Sequence, residues 1–429
     1  MGKKFLSVLG TGRYKDCNYV YGEEKNKTRF VQEALIKTFC SNWTKEDKAI
    51  IFLTKDARKI NWENNKEKGL RDTLKDLKNF SLSVQDVSIV DGKNTEEIWK
   101  IYDNIFNVIE EGDEIIFDIT HGFRSIPMLV LVILNYAKVI KNIKLKGIYY
   151  GAFEARDENT NPPTTPIFEL TEFDELLEWT QAVNIFLKYG NSKEITKVSM
   201  KNLQEKLRKN VDGSRQTKQF IDRLNDFTNC VYTCRGKLIE NVKNNNKKSI
   251  ACAYKNMEGA LEPILDNESK VIKPLTPLFK KIQKRTFDFK NNDNVSTGLA
   301  VVKWSIDNNL IQQAYTALEE TIKTYVCSKF NLDDSNYENR EKLVNKAIKL
   351  KFQEKPESEW QIDEKYREGI KKIIDSLDES IIKLADKISQ ARNDINHFGF
   401  SKKVKDYETL SKDIEKYYEE FKEYVETNI

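Results

Sequence analysis

The first 170 residues alternate short apolar runs with segments of helical periodicity, and this alternation constrains the fold more than any other feature of the chain. The runs FLSVLG, AIIFLT, VSIV, DEIIFDIT and KLKGIYYGAF predict strands, and the segments between them are long enough to form helices. Continuous apolar strands joined through helices favour a parallel sheet with both faces covered. The sequence therefore predicts a Rossmann-like α/β domain over residues 1–170.

The rest of the chain is predicted to be all-α. From about Glu172 the strand pattern stops, and amphipathic stretches alternate with polar tracts such as VDGSRQT and NVKNNNKKS. Apolar residues at three-to-four spacing predict one long helix from Trp304 to Phe330. Two more helices are expected, from Tyr366 to Phe398 and from Asp406 to Thr427. We therefore expect a helical connector over residues 171–296 and an all-α domain over residues 297–429.

Composition excludes several classes of protein. The 39% hydrophobic and 32% charged residues are typical of a folded domain, and a net charge of +4 gives no broad cationic surface. The longest apolar run, IPMLVLVIL, is about half a membrane span, and the N-terminus lacks the pattern of a signal peptide. The six cysteines are scattered, and neither histidine lies near the close pair CVYTC. We expect a cytoplasmic protein without a metal cofactor or a membrane partner.

The loop LGTGRY follows the first predicted strand and is a candidate ligand site. Its candidate residues are Gly10, Thr11, Gly12 and Tyr14. At the carboxyl end of a parallel strand, glycines allow a ligand to approach the backbone, and free N–H groups can hold a phosphate. A dinucleotide-binding fingerprint needs a third glycine where Lys15 stands, which disfavours that class of site. The alternative is a simple tight turn.

A second candidate loop, DITHGFRS, closes a later strand. Its candidate residues are Asp118, Thr120, His121, Gly122 and Arg124. An arginine at a helix N-terminus opposes the helix dipole by about 0.3–1 kcal/mol unless a bound anion, or Asp118, balances it. An imidazole, neutral or charged, beside an arginine and glycine N–H groups suits a phosphodiester. The alternative is a well-capped corner between a strand and a helix.

The segment ARNDINHFGF ends a predicted helix and has one of the two histidines of the chain. Its helix is predicted to have one apolar stripe, formed by Ile381, Leu384, Ala385, Ile388, Ala391, Ile395 and Phe398. One flank of that stripe has Arg392, Asn393, Asn396 and His397, whereas Asp394 points elsewhere. The alternative is a capped helix end, because a C-terminal histidine favours the helix dipole and Gly399 is a natural stop.

These groups suit the cleavage of RNA without a metal ion. RNA supplies its own nucleophile, the 2′-hydroxyl, and an imidazole can act as the base or the acid. The guanidinium of Arg392 can stabilise the charge that develops on the phosphoryl oxygens, and the two amides can orient the phosphate or the imidazole. One flank supplies only one histidine, so a two-fold dimer would supply a second copy.

Together, the motifs resemble those of CRISPR-associated ribonucleases of type III systems, which have an N-terminal CARF domain and a C-terminal HEPN domain. DITHGFR matches the CARF pattern through Asp118, Thr120 and Arg124. RNDINH matches the HEPN pattern of an arginine, a polar residue next to it, and a histidine after four to six intervening residues. LGTGRY resembles the first-strand loop of the family, and WSIDNNLIQQAYTALEETIKTYV resembles its first HEPN helix. Residues 171–296 match only as a helical connector.

The resemblance implies a homodimer that binds a cyclic oligoadenylate activator across paired CARF domains and then cuts single-stranded RNA. Its products would be a 2′,3′-cyclic phosphate and a 5′-hydroxyl. The ring size of the activator, the base preference and any degradation of the activator by the CARF domain stay open. Two other functions stay open as well: a CARF-type sensor that binds DNA or a protein partner without nuclease activity, and a nucleotide-dependent oxidoreductase.

Overall fold

A computed structural model of the chain describes residues 2–64, 67–77, 81–121, 126–237, 244–269, 271–290, 293–400 and 404–428. The chain divides into two compact units, Met1–Glu175 and Leu176–Ile429. The first unit is an α/β sandwich, and the second unit is helical. This agrees with the predicted fold class, a Rossmann-like domain followed by an all-α region.

Eight strands form one mixed sheet in the first unit. They are β1 (Lys3–Leu9), β2 (Cys17–Tyr21), β3 (Glu24–Thr28), β4 (Lys48–Leu53), β5 (Ser83–Ser88), β6 (Glu114–Asp118), β7 (Lys144–Gly151) and β8 (Thr164–Glu169). Their order is β3-β2-β8-β7-β6-β1-β4-β5. The five strands from β7 to β5 pair in parallel.

Helices cover both faces of this sheet, as the apolar strands predicted. The helices of the first unit are α1 (Val31–Phe39), α2 (Lys55–Ala57), α3 (Leu70–Lys75), α4 (Thr95–Asn107) and α5 (Ile126–Ile140). Successive residues of β1 point to opposite faces, so Phe5 packs in the cluster that includes α1, and Leu6 packs in the cluster that includes α4 and α5. Six of the seven residues of β1 are buried, which explains its continuous apolar run.

The parallel sheet is extended at one edge by strands that the sequence analysis did not predict, and two of the pairings there are antiparallel. Strand β2 pairs antiparallel with β3, and β7 pairs antiparallel with β8. Strands β2, β3 and β8 were not predicted. Strand β3 has the polar sequence EKNKT and faces solvent along most of its length, so hydrophobic periodicity does not mark it. A polar edge strand also limits edge-to-edge pairing between molecules.

Eleven helices run from Thr171 to the C-terminus in the described part of the chain. They are α6 (Thr171–Tyr189), α7 (Lys193–Arg208), α8 (Ser214–Tyr232), α9 (Ile250–Leu265), α10 (Thr276–Arg285), α11 (Asn294–Asp307), α12 (Ile311–Lys329), α13 (Asn345–Phe352), α14 (Arg367–Ser376), α15 (Glu379–Asn396) and α16 (Tyr407–Thr427). The second unit has two hydrophobic cores, and α11 contributes to both of them, Trp304 to one and Val302 to the other. The predicted boundary between residues 296 and 297 falls inside α11.

Two of the predicted helices are each split in two. The stretch from Trp304 to Phe330 is interrupted after Asp307, where Asn309 adopts a left-handed conformation with φ of 56°. The stretch from Tyr366 to Phe398 is interrupted by Leu377 and Asp378, whose backbone is extended. Hydrophobic periodicity continues through both breaks, so it does not reveal where the backbone leaves the helix.

Candidate functional site

Two candidate sites lie in the two units, and the first, which we call the crevice, is the region between the loops after β1 and β6 at the carboxyl edge of the sheet. From β1 the chain builds β4 and β5 on one side and then β6 and β7 on the other side. Ligands of open α/β sheets bind at such a reversal of strand order. The loops after β1 and β6 are LGTGRY and DITHGFRS, so the fold brings together the two loops that the sequence singled out.

Asp118 is the last residue of β6 and is buried beneath the loop that follows this strand. Its side chain is 0% exposed. It accepts hydrogen bonds from the hydroxyl of Ser7 at 2.7 Å and from the backbone N–H of Thr120 at 2.9 Å. Burial raises the pKa of the Asp118 carboxyl, although these hydrogen bonds oppose the rise. Because it is enclosed and satisfied within the protein, Asp118 fixes the turn and makes no direct contact with the crevice.

Thr120 has a similar role on the other side of the turn. Its hydroxyl accepts a hydrogen bond at 2.8 Å from the backbone N–H of Gly151, the last residue of β7. Asp118 and Thr120 therefore tie the loop after β6 to both neighbouring strands. The predicted ligand residues Gly122 and Arg124 lie outside the described residues.

The loop after β1 is held by an asparagine that the sequence analysis missed. The Asn61 side-chain amide donates two hydrogen bonds of 2.9 Å, one to the carbonyl of Gly10 and one to the carbonyl of Gly12. The Gly10 N–H donates to the hydroxyl of Tyr14 at 3.0 Å. Thr11 and Gly12 remain exposed. The signal for Asn61 was its place shortly after β4, whose carboxyl end meets the same edge of the sheet.

His121 and Tyr14 join the two loops. Their ring centroids are 4.4 Å apart with 34° between the planes. Burial lowers the pKa of His121 to about 4, so the imidazole is neutral at neutral pH and the charged form considered from the sequence is disfavoured. Its Nε2 atom is buried and has no hydrogen-bond partner among the described residues. A neutral imidazole can donate or accept a hydrogen bond but cannot attract a phosphate by charge.

The second candidate site is the C-terminal end of α15. Arg392, Asn393 and Asn396 lie in its last two turns, and His397 is the C-cap residue. Asn393, Asn396 and His397 are exposed, and Arg392 is partly exposed. Asp394 is buried and accepts a hydrogen bond from the backbone of Lys405 at 2.9 Å, which places it on the other side of the helix, as predicted. The four predicted residues therefore share one accessible helix end.

Helix α12 supplies two contacts to this site that the sequence analysis missed. The Nε of Arg392 forms an ion pair with Oε2 of Glu319 at 2.9 Å, although the geometry is not that of a hydrogen bond. The Gln312 amide donates to Oδ1 of Asn396 at 3.2 Å. Glu319 is only 8% exposed, on the face that packs in the core. A charged residue within an apolar helix pattern was the signal that could have identified it.

The turn after α15 differs from the predicted stripe. Phe398 was expected to pack in the core, but it is 88% exposed. It has a left-handed backbone with φ of 57°, and the N–H of Gly399 returns to the carbonyl of Asp394 at 3.0 Å. This is the Schellman ending of a helix, in which glycine usually occupies the left-handed position. The left-handed residue turns the chain away before the apolar stripe reaches Phe398.

Neither candidate site has the side chains of an evident metal centre. Among the described residues, no three His, Cys, Asp or Glu side chains are grouped as the ligands of one ion. All six cysteines are free thiols. None of the helices in the described ranges is both long enough and apolar enough to cross a membrane.

Two family models match the chain. The model described as "CRISPR system endoribonuclease Csx1, CARF domain" matches residues 4–154, which include the whole crevice. The model described as "CRISPR-associated protein MJ1674, second domain" matches residues 175–292. The Rossmann-like unit is therefore a CARF domain. Over these two ranges the chain is similar to CRISPR-associated proteins, with the CARF domain at its N-terminal side.

The chain is also similar in sequence to a curated protein and was compared with a solved structure. CRISPR-associated protein MJ1674 of Methanocaldococcus jannaschii is 31% identical over 258 residues, which are 58% of this chain and 35% of that protein. The chain thus spans about a third of the length of that relative. The structure of Enterococcus italicus Csm6 bound to cyclic hexa-2'-fluoro-hexa-dAMP overlaps with a TM-score of 0.46 and 9% identity, covering 98% of this chain and 92% of that one. That score is too low to define a shared fold.

Proposed function

We propose that the chain is a cytoplasmic, metal-independent endoribonuclease of type III CRISPR defence, activated by a cyclic oligoadenylate. One observation carries the proposal: a chain with a CARF domain also has an arginine and an exposed histidine together at one helix end. The first feature supplies a place for a nucleotide signal. The second supplies acid–base chemistry for a phosphodiester.

The crevice between β1 and β6 is the proposed site of the activator. The exposed Thr11 and Gly12 present backbone to it, and the Tyr14–His121 ring pair lies beside this loop. Because His121 is neutral, the charge that balances the phosphates must come from other residues. Arg13 and Lys15 are exposed cations of the same loop, and Arg124 is the cation that the sequence adds from the other loop. Gly122 completes the proposed set.

The proposed cleavage uses the groups at the end of α15. A base removes the proton of the 2′-hydroxyl while that oxygen bonds to the adjacent phosphorus atom. The bond from phosphorus to the 5′-oxygen breaks, and the leaving oxygen takes a proton. The products are a 2′,3′-cyclic phosphate and a 5′-hydroxyl, and no water is consumed. His397 transfers protons, Arg392 stabilises the phosphoryl oxygens, and Asn393 and Asn396 position the phosphate.

A homodimer completes this site. The reaction needs both a base and an acid, and His397 is the only histidine of the helical unit. A two-fold axis places identical residues face to face, so two copies of α15 would supply two imidazoles to one phosphodiester. Binding of the activator across two CARF domains must then favour the competent arrangement, by a few kcal/mol for a sharp switch.

The experiment is cleavage of a fluorophore–quencher RNA in EDTA, with cyclic tetra-adenylate, cyclic hexa-adenylate or no activator. Wild type and His397→Ala are compared, with His121→Ala as a matched histidine variant. We expect cleavage only with one of the two rings and none in His397→Ala. His121→Ala is expected to need more activator but to keep cleavage at saturation.

Three results would contradict parts of the proposal. Binding of a ring without cleavage would leave a sensor that lacks nuclease activity, the alternative that the sequence left open. Cleavage that persists in His397→Ala would place the active site elsewhere. Cleavage that requires a divalent cation would overturn the metal-free chemistry.

A further inference from the structure

Two phenylalanines directly after His397 are exposed far beyond what folding requires. Phe398 is 88% exposed and Phe400 is 87% exposed. Large apolar side chains are normally buried, and a pair of neighbouring exposed rings is typical of an interaction surface. Their position matters because they lie within three residues of the proposed catalytic imidazole.

The two rings have the geometry of a stacking platform. Their centroids are 6.4 Å apart with 24° between the planes. Bases in a stacked strand repeat at about 3.4 Å, so the separation of the rings is close to two such repeats. Unpaired bases of RNA commonly stack on exposed aromatic side chains, because every base has a flat π-face.

The backbone supports a functional reason for Phe398. It occupies the left-handed position of the Schellman turn, with φ of 57°, where glycine has no steric penalty and phenylalanine does. A strained residue that is also exposed contributes nothing to the core in return. Such outliers cluster at functional sites, where the observed strain is the starting point for a functional hypothesis.

Charge near the rings favours a nucleic acid over an apolar partner. The neighbouring helix end has Arg392 and two amide side chains, Asn393 and Asn396, all at least partly exposed. In the sequence Lys402 and Lys403 follow Phe400 after one serine, although they lie outside the described residues. Exposed aromatic rings interleaved with cations are the pattern of proteins that bind single-stranded nucleic acids.

We propose that Phe398 and Phe400 form a base-binding subsite that holds one unpaired base of the RNA substrate, next to the scissile phosphodiester. This inference rests on the proposed RNA cleavage and adds the part of the substrate that the site recognises. Stacking accepts every base, so the subsite would select unpaired RNA over duplex without strong sequence preference. It would also hold the adjacent phosphate near His397.

The test separates stacking from folding through the choice of variants. Phe398→Leu combined with Phe400→Leu keeps apolar side chains but removes the aromatic faces. Phe398→Trp, used in place of Phe398→Leu, keeps an aromatic face at that position. Phe398→Gly removes the ring and also relieves the strained backbone, so it is expected to raise the melting temperature. Phe287→Leu is the matched control, because Phe287 is 61% exposed on a short helix away from α15 in the sequence.

Binding is measured in the His397→Ala background, so that the RNA is not consumed. The probe is a short single-stranded RNA with one 2-aminopurine, whose emission falls when it stacks. We expect the double leucine variant to bind about tenfold more weakly and to lose the quenching. The tryptophan variant and the Phe287→Leu control are expected to keep both the RNA affinity and the quenching of wild type. In the cleaving background, the KM of the double leucine variant should rise more than its kcat falls.

Each opposite result overturns the inference. Equal affinity and equal quenching in the double leucine variant would show that the rings do not contact a base. A shift toward monomer in sedimentation, with RNA affinity per dimer unchanged, would assign the rings to a contact between two copies. A lower melting temperature for Phe398→Gly would show that Phe398 is not strained. If wild type binds the RNA but never cleaves it, the nuclease proposal fails, while the binding comparison still decides the role of the rings.

Discussion

At Gly10 the loop after β1 has no room for a side chain. A Cβ atom there would lie 2.9 Å from the hydroxyl of Tyr14 and 3.6 Å from Cβ of His121. At Gly12 the nearest atom, Cε1 of Tyr14, would be 3.5 Å away, which is ordinary contact. The two glycines of one turn therefore have different roles. Gly10 permits the packing of Tyr14, and Gly12 only forms the exposed part of the loop.

This difference predicts the effect of two matched substitutions. Gly10→Ala should lower the free energy of unfolding by about 1–3 kcal/mol, because the new methyl group displaces Tyr14 from the ring of His121. Gly12→Ala should change it by less than about 0.5 kcal/mol. Urea unfolding followed by tyrosine and tryptophan fluorescence measures both. Equal losses would mean that the Tyr14 hydroxyl moves aside freely.

His121 predicts a specific dependence of stability on pH. Its pKa is about 4 in the folded protein, against 6.5 for an ordinary histidine. The unfolded chain therefore binds the proton more tightly, and this group removes stability progressively as the pH falls from about 6.5 to about 4. His121→Asn should lose less stability than wild type across that range. The raised pKa of Asp118 has the opposite sign but is present in both proteins, so the difference between the two unfolding curves isolates His121. Parallel curves would contradict the lowered pKa.

The sequence predicted which residues meet at this edge of the sheet, but not their protonation or burial. Gly10, Tyr14, Asp118, Thr120 and His121 were predicted because polar and glycine residues at strand ends meet at one edge of a parallel sheet. The neutrality of His121 and the enclosure of Asp118 depend on neighbours distant in sequence. Such contacts leave no local pattern, so only the folded structure reveals them.

At the scale of elements, an ion pair between α12 and α15 lies at the proposed active site. Glu319 lies 3.5 Å from Lys323 and 2.9 Å from Arg392. Lys323 has two further partners, Glu320 at 2.9 Å and Glu341 at 3.0 Å, so it does not depend on Glu319. Glu319 holds the Nε side of the guanidinium, and one terminal nitrogen donates to Oδ1 of Asn393 at 3.3 Å. Glu319 is therefore a positioning residue for Arg392.

Removing this charge should lower turnover more than substrate binding. Glu319→Gln keeps the shape of the side chain, and we expect kcat to fall about tenfold with a smaller change in KM, because Arg392 loses its fixed orientation. Glu320→Gln is the control on the same helix, since Glu320 pairs with Lys323 and Arg340 instead. Steady-state cleavage well below the melting temperature compares the two. The same loss in both would mean that the substitutions act through the stability of α12.

Hydrophobic periodicity predicted the elements with continuous buried faces and missed the others. Strands β1, β4 and β6 were identified because nearly every residue is buried. The breaks at Asn309 and at Leu377 were missed because they arise from backbone conformation, which apolar spacing does not report. The β2–β3 hairpin was missed because its outer strand is polar.

At the scale of the whole molecule, the proposed active site needs two chains. The prediction follows from His397 being the only histidine of the helical unit. If wild type is mixed with an equal amount of His397→Ala and allowed to exchange subunits, about half of the wild-type chains pair with the variant. Activity per wild-type chain, measured with saturating activator, should then fall to about half. Unchanged activity per wild-type chain would show that each chain cleaves RNA independently.

Helix α11 contributes residues to both hydrophobic cores of the helical unit, so the stability of one core depends on the other. Val301 and Trp304 are buried in one core, and Val302 is buried in the other. Ala317 of α12 packs against both cores. Neither core can melt without exposing an apolar face of the helix that the other core needs. Residues of α6 to α10 share one of these cores with α11, and α11 packs against α12, whose Glu319 pairs with Arg392 of α15. A chain cut within α11 would therefore disrupt both cores at once.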